Sequence, residues 1–274
     1  MNISLGGYSF NNLFLDGRMD VFGYLETAKY RYRLDAVDLW NAQIAERTKP
    51  ILTLFDESRL RKVREALDER ELRLVNIAVD TAHLWDPDPD VREALRRNAE
   101  DHLQAAVLLG AETIRIDTGG RGDQVFSDEA FDWIVRQYQT YCRFARDHGM
   151  KIGPENHMGP SLVPAEMVRL AEAVNDPAFG ILLHIGRWNE DRATGDNLVA
   201  PWVVHTHFDA KTAAAADTPS IIRTLRDAGY RGYWSVEYNA PARNAYAELE
   251  HLLAQVKLRL AEALSADESA TRGA

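Results

Sequence analysis

Four short apolar runs in this chain end in residues that can bind a cation or carry a proton. Met150-Lys151-Ile152-Gly153 leads into Pro154-Glu155-Asn156-His157. Leu182-Leu183-His184 is followed by Arg187 and Trp188, Val203-Val204-His205-Thr206-His207 by Asp209 and Lys211, and Ser235-Val236-Glu237 by Tyr238 and Asn239. Carboxylates and imidazoles together offer the oxygen and nitrogen donors that suit a borderline divalent cation. Carboxylates also take and return protons at carbon. Acids sunk in an apolar frame need a compensating charge, which a cation supplies. No short local motif joins these residues, so they meet only if the fold gathers the ends of the runs.

The elements that would gather them alternate about eight times between a short apolar run and a longer amphipathic segment. Expected strands are Ile3–Tyr8, Ala36–Trp40, Leu72–Val79, Thr113–Asp117, Met150–Glu155, Phe179–His184, Trp202–His207 and Tyr233–Tyr238. Apolar residues at helical spacing stripe the segments between them. Examples are Leu60, Val63 and Leu67; Val91, Leu95, Ala99 and Ala106; Phe131, Val135, Tyr138, Cys142 and Ala145; and Tyr246, Leu249, Leu253, Val256 and Leu260. Asp86-Pro87-Asp88-Pro89 starts one helix, and Gly110 stops it. The strict alternation implies a parallel sheet with helices outside. Eight units fit a closed (β/α)8 barrel of the TIM type, in the α/β class, better than an open doubly wound sheet. No glycine-rich GxGxxG turn follows the first strand, so a dinucleotide site has no support. The chain reads as one domain over residues 1–264, with a small polar tail at 265–274 expected to fray.

A closed barrel opens every strand C-terminus on one face. Side chains alternate along each strand, so inward residues can be assigned. In the eighth strand Trp234 and Val236 suit the helix layer, which turns Ser235 and Glu237 inward. His205 and His207 share a face in the seventh, Arg115 and Asp117 in the fourth, and Asp38 and Trp40 in the second. Parity discriminates poorly across Ile181-Leu182-Leu183, since all three are apolar.

The 274 residues suffice for one large barrel, and the formal net charge of −10 disfavours nucleic acid as a partner. Cys142 is the one cysteine, so no internal disulfide forms. The N-terminal MNISLGGYSF lacks the basic-then-apolar pattern of a signal peptide. No stretch approaches the ~18 consecutive apolar residues of a membrane span. The expected setting is the reducing cytoplasm, without membrane attachment.

Three pieces of the chain, ENH at Glu155–His157, HTHFDAK at His205–Lys211 and VEYN at Val236–Asn239, carry a resemblance to the xylose isomerase-like barrel superfamily, in its sugar isomerase and epimerase branch. The resemblance spans most of Ile3–Asn239. It implies one divalent metal ion held by a glutamate after strand five, an aspartate after strand six, a histidine in strand seven and a glutamate after strand eight. Those positions are Glu155, His184, His207 and Glu237, so the sixth strand departs: His184 stands where the family has aspartate, and Arg187 where it has histidine. If His184 binds, the ligands carry two negative charges instead of three, which favours manganese, cobalt, zinc or iron over magnesium. Arg187 adds a fixed cation suited to a carboxylate, a phosphate or several hydroxyls.

The reaction so implied is isomerisation or epimerisation of a sugar or sugar derivative. The metal stabilises an enediolate next to a carbonyl, and Glu155 and Glu237 exchange the proton. His157, Arg187, Trp188, Asp209, Lys211, Trp40, His83 and Arg115 are expected to contact the substrate, with Asn156 fixing Glu155. His205 reads as structural, and Arg115 with Asp117 also reads as an internal ion pair. The same metal and bases serve a lyase, a dehydratase or a β-eliminating deglycosidase-type subunit. A barrel that binds sugar without chemistry, and the family's abasic-DNA endonucleases, complete the alternatives. The partner expected is a small carbohydrate; barrels of this family often pair, so a homo-oligomer belongs to the expectation.

Overall fold

The computed structural model describes residues 2–47, 51–189, 194–239 and 244–272, with 266–272 as backbone only. Eight parallel strands form its centre: β1 Ile3–Leu5, β2 Ala36–Trp40, β3 Arg73–Val79, β4 Thr113–Ile116, β5 Lys151–Gly153, β6 Ile181–His184, β7 Val203–Phe208 and β8 Trp234–Val236. Their order runs β5-β4-β3-β2-β1-β8-β7-β6. Isolated parallel bridges Ile152↔Phe179 and Glu155↔Leu182 join β5 to β6 and complete the ring. The arrangement is the expected (β/α)8 barrel.

The seam between β5 and β6 depends on glycine. A Cβ on Gly153 would stand 1.6 Å from the Gly180 carbonyl oxygen, and one on Gly180 would meet Val204 at 2.2 Å. The strands therefore approach to hydrogen-bond distance only without side chains there: Gly180 N donates to Ile152 O at 2.9 Å and Leu182 N to Pro154 O at 3.0 Å. Gly153→Ala is expected to cost about 3 kcal/mol or more, above the usual penalty for overpacking, because backbone must move. Thermal denaturation beside the wild type checks this; an unchanged melting temperature would mean that the seam tolerates a methyl group.

Helices cover the outside: α1 Val21–Glu26, α2 Glu57–Glu69, α3 Pro89–Leu109, α4 Asp128–Asp147, α5 Pro164–Val174, α6 Gly195–Val199, α7 Thr218–Asp227 and α8 Ala245–Arg272. Side chains satisfy orphan amides at the starts of α1, α2 and α3. Asp20 accepts from Gly23 N at 2.8 Å, Asp56 from Arg59 N at 2.9 Å, and Asp88 from Asp90 N at 2.9 Å. Gly110 ends α3 in the left-handed region, as its position implied. The buried stripes are those the spacing gave, except that Val91 is exposed and Phe131, Val135 and Tyr246 are partly buried. Cys142 is buried in the stripe of α4.

Several features differ from the sequence reading. α1 passes into a π-helical turn at Thr27–Arg31 instead of continuing as one regular helix. The fifth strand's regular ladder ends at Gly153, because the next amide on the β4 side, Glu155 N, donates to the Asp117 side chain at 3.3 Å. Ala45–Glu46 and Thr53–Leu54 form an antiparallel pair too short to leave a periodic signal. α8 stays helical to Arg272, past the Ser265 at which fraying was expected; alanine and glutamate in that stretch favour helix. Residues 273–274 of the expected tail lie outside the described residues. Among the described residues, no helix is long and apolar enough to cross a membrane.

Candidate active site

Register puts the central groups at one level. His184 on β6 pairs with His207 on β7, and His207 pairs with Ser235 on β8. Glu155, just past β5, bridges to Leu182. The two imidazoles therefore stand side by side, their ring centres 5.9 Å apart and their planes perpendicular. Glu155 Oε1 lies 3.3 Å from His184 Nδ1 and 3.5 Å from His207 Nδ1. Glu237 Oε2 lies 3.3 Å from the same His207 Nδ1.

Neither Nδ1 makes a hydrogen bond, although both are buried. Buried polar atoms are seldom left without a partner. These two face a third donor atom, Glu155 Oε1, with all three within 4.8 Å of one another. Three donors aimed at a common point are what a cation requires. The far nitrogens support the same reading: His184 Nε2 faces Asp209 Oδ2 at 3.3 Å, and His207 Nε2 faces Asp38 Oδ2 at 3.4 Å. A carboxylate behind an imidazole fixes its tautomer and aims its other nitrogen, as in metal centres generally. The residues present thus fit a divalent ion. Asp38, His205 and His207 form a second cluster of potential ligands, but there Asp38 Oδ2 already holds His205 Nε2 at 2.6 Å.

The charges are strongly coupled. Burial alone would lower the His207 pKa, but the Glu237 and Glu155 carboxylates outweigh it and push it up to about 10. Burial raises the Glu155 carboxyl, yet the neighbouring histidines hold it well below the usual range. Asp38 behaves likewise: burial raises it, and His205 and His207 bring it far below the ordinary carboxylate value. Two guanidiniums also flank Glu155, Arg187 Nη1 at 2.9 Å from Oε1 and Arg115 Nε at 3.3 Å from Oε2.

The strand ends open into a cavity of about 1070 Å3. Glu155, Glu237 and His207 line it, with Trp40, His83, Arg115, His157 and Arg187 from the expected substrate set. Trp40 Nε1 donates to Asp80 Oδ2 at 2.8 Å, and its ring meets Tyr8 edge-on with centres 5.1 Å apart. Arg115 is buried and fastened by one nitrogen to Val79 O, Asp80 and Asp117. It is thus the internal ion pair that the sequence allowed, and it reaches Glu155 as well. His157 Nδ1 pairs with Asp117 Oδ2 at 2.8 Å; burial lowers its pKa, and Asp117 more than restores it. A second cavity, about 260 Å3, holds Trp188, Asp209 and Lys211 and shares the wall of Arg187 and His157. Trp188 is buried there, its indole nitrogen on Asp196 at 2.8 Å, and Asp209 caps the short helix Ala210–Ala214 through Thr212 N.

Asn156 does not fix Glu155. Its side chain accepts from His184 N at 2.7 Å and donates to the carbonyls of His184 and Arg187 at 2.9 Å, so it pins the end of β6. Sequence reasoning put Asp38 on a face with Trp40 but gave it no role, and passed over Asp80 and Asp209's hold on His184. Asp38 gave one usable signal, a lone acid turned inward within Ala-Val-Asp-Leu-Trp.

A profile of the xylose isomerase-like TIM barrel family matches residues 34–255. No curated protein matches the chain. Solved structures of similar shape include an L-ribulose 3-epimerase, with TM-score 0.75 and 13% identity over 98% of this chain and 97% of that one. The 3-keto-D-glucoside 4-epimerase YcjR from E. coli gives 0.73 and 14% over 94% and 99%. The probable 3-DHS dehydratase AsbF from Bacillus anthracis gives 0.67 and 18% over 94% and 99%. Likeness at these identities is likeness of fold.

Proposed function

Because the chain belongs to the xylose isomerase-like TIM barrel family, we propose that it is a divalent-metal-dependent isomerase or epimerase of a sugar or sugar derivative. The observation that carries this reading is the convergence of two buried, unpartnered imidazole nitrogens on Glu155 Oε1. Glu155, His184 and His207 would hold the ion, with Glu237 completing the set. When bound, a divalent ion supplies Lewis acidity that lowers the cost of charge on a substrate oxygen. Two imidazoles among the ligands favour manganese, cobalt, zinc or iron over magnesium.

The chain's own groups then divide the work. Glu237 is the freer base: among the described residues its ion pair is with His207 alone, whereas Glu155 is flanked by two arginines. Glu237 takes the proton beside the substrate carbonyl and keeps it, while Glu155, carrying a proton of its own, delivers that one to the opposite face, or the reverse for the opposite epimer. Asp38 and Asp209 hold the far nitrogens of the histidines, and Arg115 keeps Glu155 in place. Trp40 and Tyr8 offer an aromatic wall for a sugar face. Elimination is the second reading: after the same proton abstraction, His157, steadied by Asp117 and facing the cavity, is placed to protonate a leaving group.

The test is a panel of keto-sugars in D2O with manganese-loaded protein, read by NMR. Deuterium at one carbon with a rearranged or epimerised product is the expected result, and chelation of the metal should cut turnover about 100-fold or more. An unsaturated product would favour the lyase reading. Turnover indifferent to chelator would sink metal dependence.

A further inference from the structure

Two arginines neutralise Glu155, and they are not equivalent. Arg115 is 5% exposed and locked by Val79, Asp80 and Asp117. Arg187 has a side chain 29% exposed, and its guanidinium touches Glu155 Oε1 at 2.9 Å and His184 Nε2 at 3.3 Å. Its backbone is held, since Arg187 N donates to His184 O at 3.1 Å and Asn156 donates to its carbonyl. Only the side chain has freedom, and it stands in the wall between the cavities of about 1070 and 260 Å3.

The oxygen that Arg187 holds is the one on which both unpartnered imidazole nitrogens converge. A carboxylate oxygen so placed cannot serve a guanidinium and a dication equally, because the two cations repel at short range. We propose that Arg187 is an exchangeable counter-ion of the site: it occupies Glu155 when no divalent ion is bound, and a divalent ion displaces it from Oε1. The proposal rests on the reading that this site takes a metal. A guanidinium suits that role because it keeps its charge at every working pH.

Isothermal titration of metal-stripped full-length protein with MnCl2 tests the competition in wild type, Arg187→Gln and Arg187→Lys. Arg187→Gln is expected to bind manganese about ten-fold or more tightly, and Arg187→Lys, which keeps the charge and loses the fork, to fall between. In manganese-loaded wild-type crystals the guanidinium should lie outside hydrogen-bond distance of Glu155 Oε1. Equal or weaker binding by folded Arg187→Gln, or manganese on Glu155 with Arg187 still on Oε1, overturns the proposal alone. If Arg187→Gln does not fold, Arg187→Lys decides by the same sign. Failure of every form to bind manganese overturns the proposal together with the metal reading.

Discussion

Glu155→Gln is expected to lower kcat/KM by three orders of magnitude or more, about the upper range for losing one acid–base group, because a single change removes several functions. The amide has nearly the same shape but neither the charge that draws a cation nor the basicity that moves a proton. Its oxygen is also the meeting point of His184 and His207. Metal affinity and turnover should therefore fall together. Glu237→Gln separates the two effects. It should lose turnover by a similar factor yet keep most of its metal, because three converging donors remain. The fold is at some risk in Glu155→Gln, since Arg115 and Arg187 lose their shared anion, and breaking a buried pair costs about 3–5 kcal/mol. Circular dichroism and a melting curve guard against mistaking unfolding for lost chemistry. Folded Glu155→Gln with turnover within ten-fold of wild type would remove Glu155 from the reaction.

The barrel was legible because its strands carry a redundant signal. Ala36–Trp40 and Arg73–Val79 are apolar on the helix side, and each is followed by turn residues and a capped helix. Parity then placed Glu237 and His207 inward without any tertiary information. The ring of polar groups behind them was harder to read. Asp38 looks like an isolated acid in a strand; only the register of β2 against the rest shows that it reaches across the axis to histidines on β7. Arg187 sits in a turn after β6, and no periodicity says whether such a side chain faces solvent, substrate or Glu155. The short pair Ala45–Glu46 and Thr53–Leu54 fails for a different reason: two residues cannot show a period of two. What was lost is thus mostly direction in turns and long-range pairing, while periodic elements survived.

Asp38 is where that lost information has the largest consequence for the site. Its carboxylate is buried beneath the histidines, taking Ser4 Oγ at 2.8 Å on one oxygen and His205 Nε2 at 2.6 Å on the other. His207 Nε2, at 3.4 Å, shares that second oxygen. A neutral His207 therefore keeps its proton on Nε2 and leaves the Nδ1 lone pair for a cation held between it, Glu155 and Glu237. Asp38→Asn removes that preference, and the ring can hold its proton on the wrong side. Metal affinity is expected to fall about 10- to 100-fold, the usual cost of losing a partner behind a ligand. Stability should fall too, in a pH window set by signs that can be worked out. Asp38 has its carboxyl depressed from 3.8, so its contribution is present above that pH and lost as pH falls. His207, raised from 6.5 to about 10, contributes fully below 6.5 and loses that contribution as pH rises through about 10. In metal-free protein the stability gap between wild type and Asp38→Asn should therefore be widest between about pH 4 and 6.5 and narrow on both sides. Urea denaturation at about pH 2.5, 5.5 and 10.5, points well below, within and above that window, would show it. A gap that stays constant across these three values would mean that Asp38 supports the barrel through packing alone and does not set the proton on His207.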